Sequence, residues 1–143
     1  MKKDKEHFSQ KHSPDRKMND HVAKAVREKA KDRELTCAQA FDIAKKMEVT
    51  PEEVGFTVDR LEIAISRCQL GLFGYSPISR IIKSAETVSN ELENAIRASS
   101  IDNRLPCAAA WDIARTFRIA RIKVCSACES MKIKITRCQL GAF

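Results

Sequence analysis

The chain carries one segment twice. Residues 67–73 read Arg67-Cys68-Gln69-Leu70-Gly71-Leu72-Phe73, and a shift of 70 residues brings Arg137-Cys138-Gln139-Leu140-Gly141-Ala142-Phe143. The same shift maps Leu35-Thr36-Cys37-Ala38-Gln39-Ala40-Phe41-Asp42-Ile43-Ala44 onto Leu105-Pro106-Cys107-Ala108-Ala109-Ala110-Trp111-Asp112-Ile113-Ala114. A fixed internal period means two copies of one supersecondary unit, which sets the organisation before any propensity argument. It also makes the chain its own control. Matching positions point to the fold, and differing positions are where function is to be sought.

The 143 residues divide into units of roughly 60 to 70, each marginal for a self-sufficient core. The copies are therefore expected to pack on each other or to dimerise. Residues 1–20 lack hydrophobic periodicity, are rich in Lys, Asp, Ser and His, and read as a flexible basic tail. Repeat 1 follows at 21–75, a linker or connecting helix at 76–91, and repeat 2 at 92–143. No apolar run approaches the roughly 18 residues that span a bilayer. Met1-Lys2-Lys3-Asp4-Lys5-Glu6 leads into no apolar stretch, so no signal peptide is visible and a cytoplasmic location is expected.

Within repeat 1, Val22, Ala25, Val26 and Ala30 fall at helical spacing, and Leu92, Ala95, Ile96 and Ser100 repeat them. Leu35-Thr36-Cys37 is too short for a helix and fits a brief strand. A second helix over 38–47 carries the stripe Ala40, Phe41, Ile43, Ala44, Met47, matched by Ala110, Trp111, Ile113, Ala114, Phe117. Thr50 can cap a third helix, Pro51 suits its first position and Glu53 closes a capping box. That helix runs to about Leu61 with Val54, Val58 and Leu61 inward. Ile63 to Cys68 alternates with period two, as a strand does, and Gly71 and Gly74 mark a turn.

Two helices joined by a short turn need a small residue where they touch, an apolar residue in the turn and another buried in the second helix. Ala44, Val49 and Val54 stand at those places, and Ala114, Ile119 and Val124 repeat them. On these residues the chain resembles the helix-turn-helix superfamily in its winged form, over about residues 22–75 and 92–143. It departs from the pattern at Glu48 and Arg118, where such turns often carry Gly, and copy two has little room for a returning wing strand. The fold expected is mostly α with small β-strands, as tandem winged-helix-like (helix-turn-helix) repeats. The resemblance implies that 51–61 and 121–131 are the recognition-helix equivalents, which dock in the major groove.

Charge separates the copies. The net charge is +7, yet residues 35–75 hold 4 basic and 6 acidic residues (−2), whereas residues 104–143 hold 8 and 2 (+6). Copy one offers Glu52, Glu53 and Asp59 on its recognition-helix equivalent, which phosphates would repel. Copy two offers Arg121, Lys123 and Ser126 there, with Arg115 and Arg118 just before and Arg137 at the strand end. These six are the candidate nucleic-acid contacts, since cationic side chains displace counterions from phosphates. The alternatives are a solvated basic face or one that docks on copy one. DNA through repeat 2 and the basic tail, and a protein partner or second copy through repeat 1, are the partners expected. A protein–protein interaction module is the rival function.

The six cysteines suggest a third reading. Cys37, Cys68, Cys107 and Cys138 are repeated pairs, and small buried apolar side chains account for them well. Cys125-Ser126-Ala127-Cys128 is a C-x-x-C inside a helix, and copy one has Gly55 and Val58 at those slots. Only Cys107, Cys125, Cys128 and Cys138 together could serve a metal or redox sensor. His7, His12 and His21 lack ligand spacing with them. The repeated heptapeptide has no nucleophile–base pair and no phosphate-cradling glycine run, and reads as a strand end and turn. Asp42 and Asp112 fit surface or salt-bridging positions. No convergent acid and base appear, so neither catalysis nor a cofactor is expected.

Overall fold

Helix ends in this protein are set by side chains that satisfy the first free amides. The computed structural model describes residues 12, 13 and 15–143. Asn19 accepts from the His21 and Val22 amides at 2.9 and 3.2 Å and starts α1, Asp20–Lys29. Val22, Ala23 and Val26 form its buried stripe. After β1 (Glu34–Thr36), Thr36 and Gln39 form a reciprocal capping box that opens α2, Cys37–Met47. Thr50 then accepts from the Glu53 amide at 3.1 Å and starts α3, Pro51–Arg60. β2, Ala64–Ser66, completes the first series.

The second series repeats the first at the same shift. It comprises α4 (Asn90–Ser99), β3 (Arg104–Pro106), α5 (Cys107–Phe117), α6 (Arg121–Met131) and β4 (Lys134–Thr136). Burial along 101–120 matches that along 31–50 position for position. The chain is thus mostly helical with a few short strands. Left-handed residues recur as well: Glu48 and Arg118 both end a helix at φ 56°, and Glu62 and Lys132 stand at 57° and 58°. The turn that lacks glycine in both copies is made by ordinary residues held in this region, at roughly 1–2 kcal/mol each.

The strands differ from the sequence expectation in length and partnership. The second strand occupies only 64–66 of the expected 63–68. Each pair is parallel, Leu35 opposite Ile65 and Leu105 opposite Ile135. Parallel neighbours need a crossover between them, and the two-helix segment between the strands supplies it. No further strand follows β2 or β4 among the described residues. A core of Leu35, Ala40, Val54 and Val58 lies beneath the first crossover, and Leu105, Ala110, Val124 and Cys128 beneath the second.

The chain divides into two compact units, and their membership departs from the repeat boundaries. Unit 1 holds the described residues up to Cys68 together with Gln139–Ala142, and unit 2 holds Gln69–Cys138 with Phe143. Each heptapeptide is therefore divided: Arg67-Cys68 stay with unit 1 and Arg137-Cys138 with unit 2, while Gln69–Phe73 belong to unit 2 and Gln139–Ala142 to unit 1. In unit 1 the Leu140 carbonyl lies against Gly55, where a Cβ would sit 1.8 Å from its oxygen. Residues 76–89, expected as a linker or connecting helix, contain no helix and belong to unit 2. There the Gly71 carbonyl accepts from the Ile81 and Ile82 amides, the Ser126 carbonyl accepts from the Ala85 amide at 3.0 Å, and Arg80 pairs with Glu129.

Of the expected flexible tail, residues 1–11 and 14 lie outside the described residues. The rest contacts α3. His12 Nε2 stands 2.7 Å from Asp59, Arg16 pairs with Glu53 at 3.2 Å, and Arg60 donates to the Ser13 and Arg16 carbonyls. The attraction is physical and local: α3 displays carboxylates and an aromatic ring, and the segment brings an imidazole and a guanidinium.

Because the Gly55 contact is with main chain, which cannot rotate away, Gly55→Ala is expected to destabilise the protein by about 3 kcal/mol, the upper end for overpacking. A lower urea midpoint with an unchanged denaturant slope would show it.

Candidate functional site

Arg118 ends α5 in the left-handed region, its amide bonding back to the Ala114 and Arg115 carbonyls. The chain then turns within three residues into α6, and the Ile119 amide also closes on Ala114 at 3.0 Å. Ala114 and Val124 are buried on either side of this corner. The corner leaves a cleft of about 570 Å³ in unit 2. Arg115, Arg118 and Arg121 line it with Trp111 and Gln69, and Ala114, Ile119, Ala120 and Ile122 give it an apolar wall. Among the described residues no acidic one lines it.

The three guanidiniums are held differently. Arg121 lies over the Trp111 ring, its Cζ 3.7 Å from the centroid, and its Nη1 donates to the Gln69 Oε1. Such a stack is worth about 0.5–2 kcal/mol, depending on desolvation. Arg115 pairs with Asp112 one turn earlier, where both side chains are more than two-thirds exposed, so that pair adds little stability. Arg118 is exposed and carries no ion pair among the described residues.

Of the six residues expected to contact nucleic acid, the structure brings together Arg115, Arg118 and Arg121. Lys123 is exposed on the first turn of α6, Ser126 is half-buried beside the 85–126 backbone bond, and Arg137 is exposed after β4, none of them lining the cleft. The middle of α6 is largely closed, because Val124, Cys125, Ala127 and Cys128 are buried, while Lys123 near its start and Ser130 near its end are exposed. Sequence reasoning missed Gln69 and placed Trp111 only in an apolar stripe. The available signal was the pairing of the chain's single Trp with Arg at position 121, where copy one has Phe41 and Pro51.

Unit 1 builds the same corner with opposite chemistry. Glu48 stands where copy two has Arg118, Pro51 where it has Arg121 and Glu52 where it has Ile122. Thr50 caps α3, whereas Ala120 gives α6 no side-chain cap, a difference of about 0.5–2 kcal/mol. On the acidic face of α3, expected to receive a protein partner, Asp59 meets His12 and Glu53 meets Arg16, while Glu52 is exposed. Phe56, 1% exposed, has the His12 ring edge-on at 4.9 Å and the Arg16 and Arg60 guanidiniums at 3.8 and 5.0 Å. Arg16 of the basic tail pairs with Glu53.

Asp42 and Asp112 are exposed and pair along their own helices with Lys46 and Arg115. All six cysteines remain thiols, five of them buried and Cys138 half-buried. Cys107, Cys125, Cys128 and Cys138 do not assemble: among the described residues no three His, Cys, Asp or Glu side chains stand together as a metal site. Burial, with the Glu129 carboxylate close by, pushes the Cys128 thiol from 9.0 up to about 11. No helix of the described residues is long and apolar enough to cross a membrane. Comparison with protein-family models, curated proteins and solved structures gave no match.

Two outcomes follow. Arg121→Ala should uncover the indole and cost about 1 kcal/mol, seen as red-shifted Trp111 emission and a lower unfolding midpoint, while Arg118→Ala should leave both nearly unchanged. Cys128 holds its proton more tightly folded than unfolded, so its contribution to stability is full below pH 9 and is lost as pH rises from there through about 11. Cys128→Ala should flatten the fall in unfolding free energy over that window.

Proposed function

We propose that unit 2 binds nucleic acid, duplex DNA first, through the α5–turn–α6 corner, as part of a small transcription-associated protein. The observation that carries this reading is the convergence of Arg115, Arg118 and Arg121 on one cleft, where, among the described residues, only Arg115 has a carboxylate partner, the exposed Asp112. The surrounding segment 104–143, at +6, adds long-range attraction. The helix pair also supports it. Ala114, Ile119 and Val124 take the small, turn and buried positions of a helix-turn-helix core, in which the first turn of the second helix meets the DNA. The resemblance rests on that helical core, since a parallel strand pair stands where the winged form carries a hairpin.

Because most of the middle of α6 is buried, phosphate contacts should outweigh base contacts. Arg115, Arg118, Arg121 and Lys123 would each neutralise about one phosphate. Four contacts imply that affinity falls about 100-fold between 50 and 200 mM salt. Fluorescence anisotropy with a random labelled duplex measures this. Charge reversal of Arg118 and Lys123 together should remove most of the binding and flatten the salt slope. Absence of binding even at 50 mM salt would sink the reading.

A further inference from the structure

The cleft at the unit 2 corner has features that general attraction to a polyanion does not require. It is concave, of a volume within the range of small-ligand pockets, about 300–1,000 Å³. It joins an apolar wall, Ile119 and Ile122, to three guanidiniums. One guanidinium is preset. Arg121 is braced from one side by the Trp111 ring and held at its Nη1 by Gln69, so its orientation is decided before any ligand arrives. Arg118 is the complement, an exposed fork with no ion pair among the described residues.

Unit 1 shows that the fold does not demand this chemistry. Its corner has the same left-handed residue, Glu48 at φ 56° and ψ 43° against Arg118 at 56° and 45°. At that corner Lys45 keeps the cation of Arg115, but Glu48, Pro51 and Glu52 replace Arg118, Arg121 and Ile122, which weakens the attraction for an anion. The backbone is shared and the charge is not, so Arg118 and Arg121 are additions to the scaffold.

We infer that this cleft is a specific seat for the phosphate ester of a planar, apolar body of nucleotide size. A terminal phosphate carries about −1.5 to −2 at neutral pH and a strand's diester about −1, each with oxygens that match guanidinium forks. Arg118 receives the phosphate, joined by Arg115 when it exchanges its exposed Asp112 pair for the phosphate, and the Arg121–Trp111 stack with Ile119 and Ile122 flanks the planar body, since guanidinium planes stack on bases. The phosphate can come from a free nucleotide or from a nucleotide within a nucleic-acid strand. The seat goes beyond the DNA reading and stands without it.

Trp111 is the only tryptophan, so its emission reports the cleft directly. The full-length protein is titrated separately with adenosine 5′-monophosphate, adenosine, inorganic phosphate and a short duplex, following Trp111 emission. Expected is a saturable change with the monophosphate, at least tenfold weaker binding of adenosine, and at least tenfold weaker monophosphate binding by Arg118→Gln at an unchanged unfolding midpoint. A saturable response to the duplex alone, equally weakened in Arg118→Gln, keeps the seat and assigns its phosphate to nucleic acid. A response to the free nucleotide without duplex binding by anisotropy keeps the seat while the DNA reading fails. Silence of Trp111 toward all four probes, or undiminished binding by Arg118→Gln, overturns the inference.

Discussion

Arg118 turns the chain out of α5 in the left-handed region, and what is distinctive about unit 2 depends on that turn. The backbone closes on Ala114 through the amides of residues 118 and 119. The small Ala114 side chain lets α6 come close, Val124 is buried beneath it, and the two-helix crossover returns β4 alongside β3 in parallel. The same turn sets Arg121 over Trp111 and leaves Arg118 itself exposed at the lip of a cleft. One strained residue therefore supports both the packing and the candidate site. In Glu48 the first copy uses the same conformation for packing alone.

The two copies show how one scaffold resolves its charges in opposite ways. In unit 1 two carboxylates of α3 are answered internally: Asp59 is met by His12 and Glu53 by Arg16, and Phe56 is flanked by the Arg16 and Arg60 guanidiniums. In unit 2, among the described residues, only Arg115 has a carboxylate partner at the corner, and that pair is exposed. Burying charge without a partner is costly, whereas leaving arginines in water costs little. A basic corner is accordingly tolerated only where it stays open, which is also where an anion can reach it.

Local features were legible in the residues. Asn, Thr and Pro at helix starts, and apolar side chains at a period of 3.6, mark helices within a residue or two of where they lie. The helix-contact trio was legible because size alone identifies it. The reciprocal capping box was misplaced: the sequence offers Thr-x-x-Gln at Thr36 and Thr-x-x-Glu at Thr50, and side-chain reach in the fold makes it Thr36–Gln39. The charge of the corner was readable, and half of its expected contacts converge. Gln69 was not readable, because 52 residues separate it from Arg121 and nothing local links them.

What the sequence determined by itself is the duplication, the helix series in each copy and the contrast between an acidic and a basic corner. These follow from short-range rules, in which caps, periodicity and net charge act within a few residues. The tertiary structure decided the parallel sense of the strands, the exchange of the two Gln-Leu-Gly segments between units, and the docking of His12, Ser13 and Arg16 on α3. It also decided which three of six cationic or polar candidates share one cleft. Each of these depends on which surfaces meet after the helices form, and a residue's neighbours across 50 or more positions are set by packing rather than by propensity.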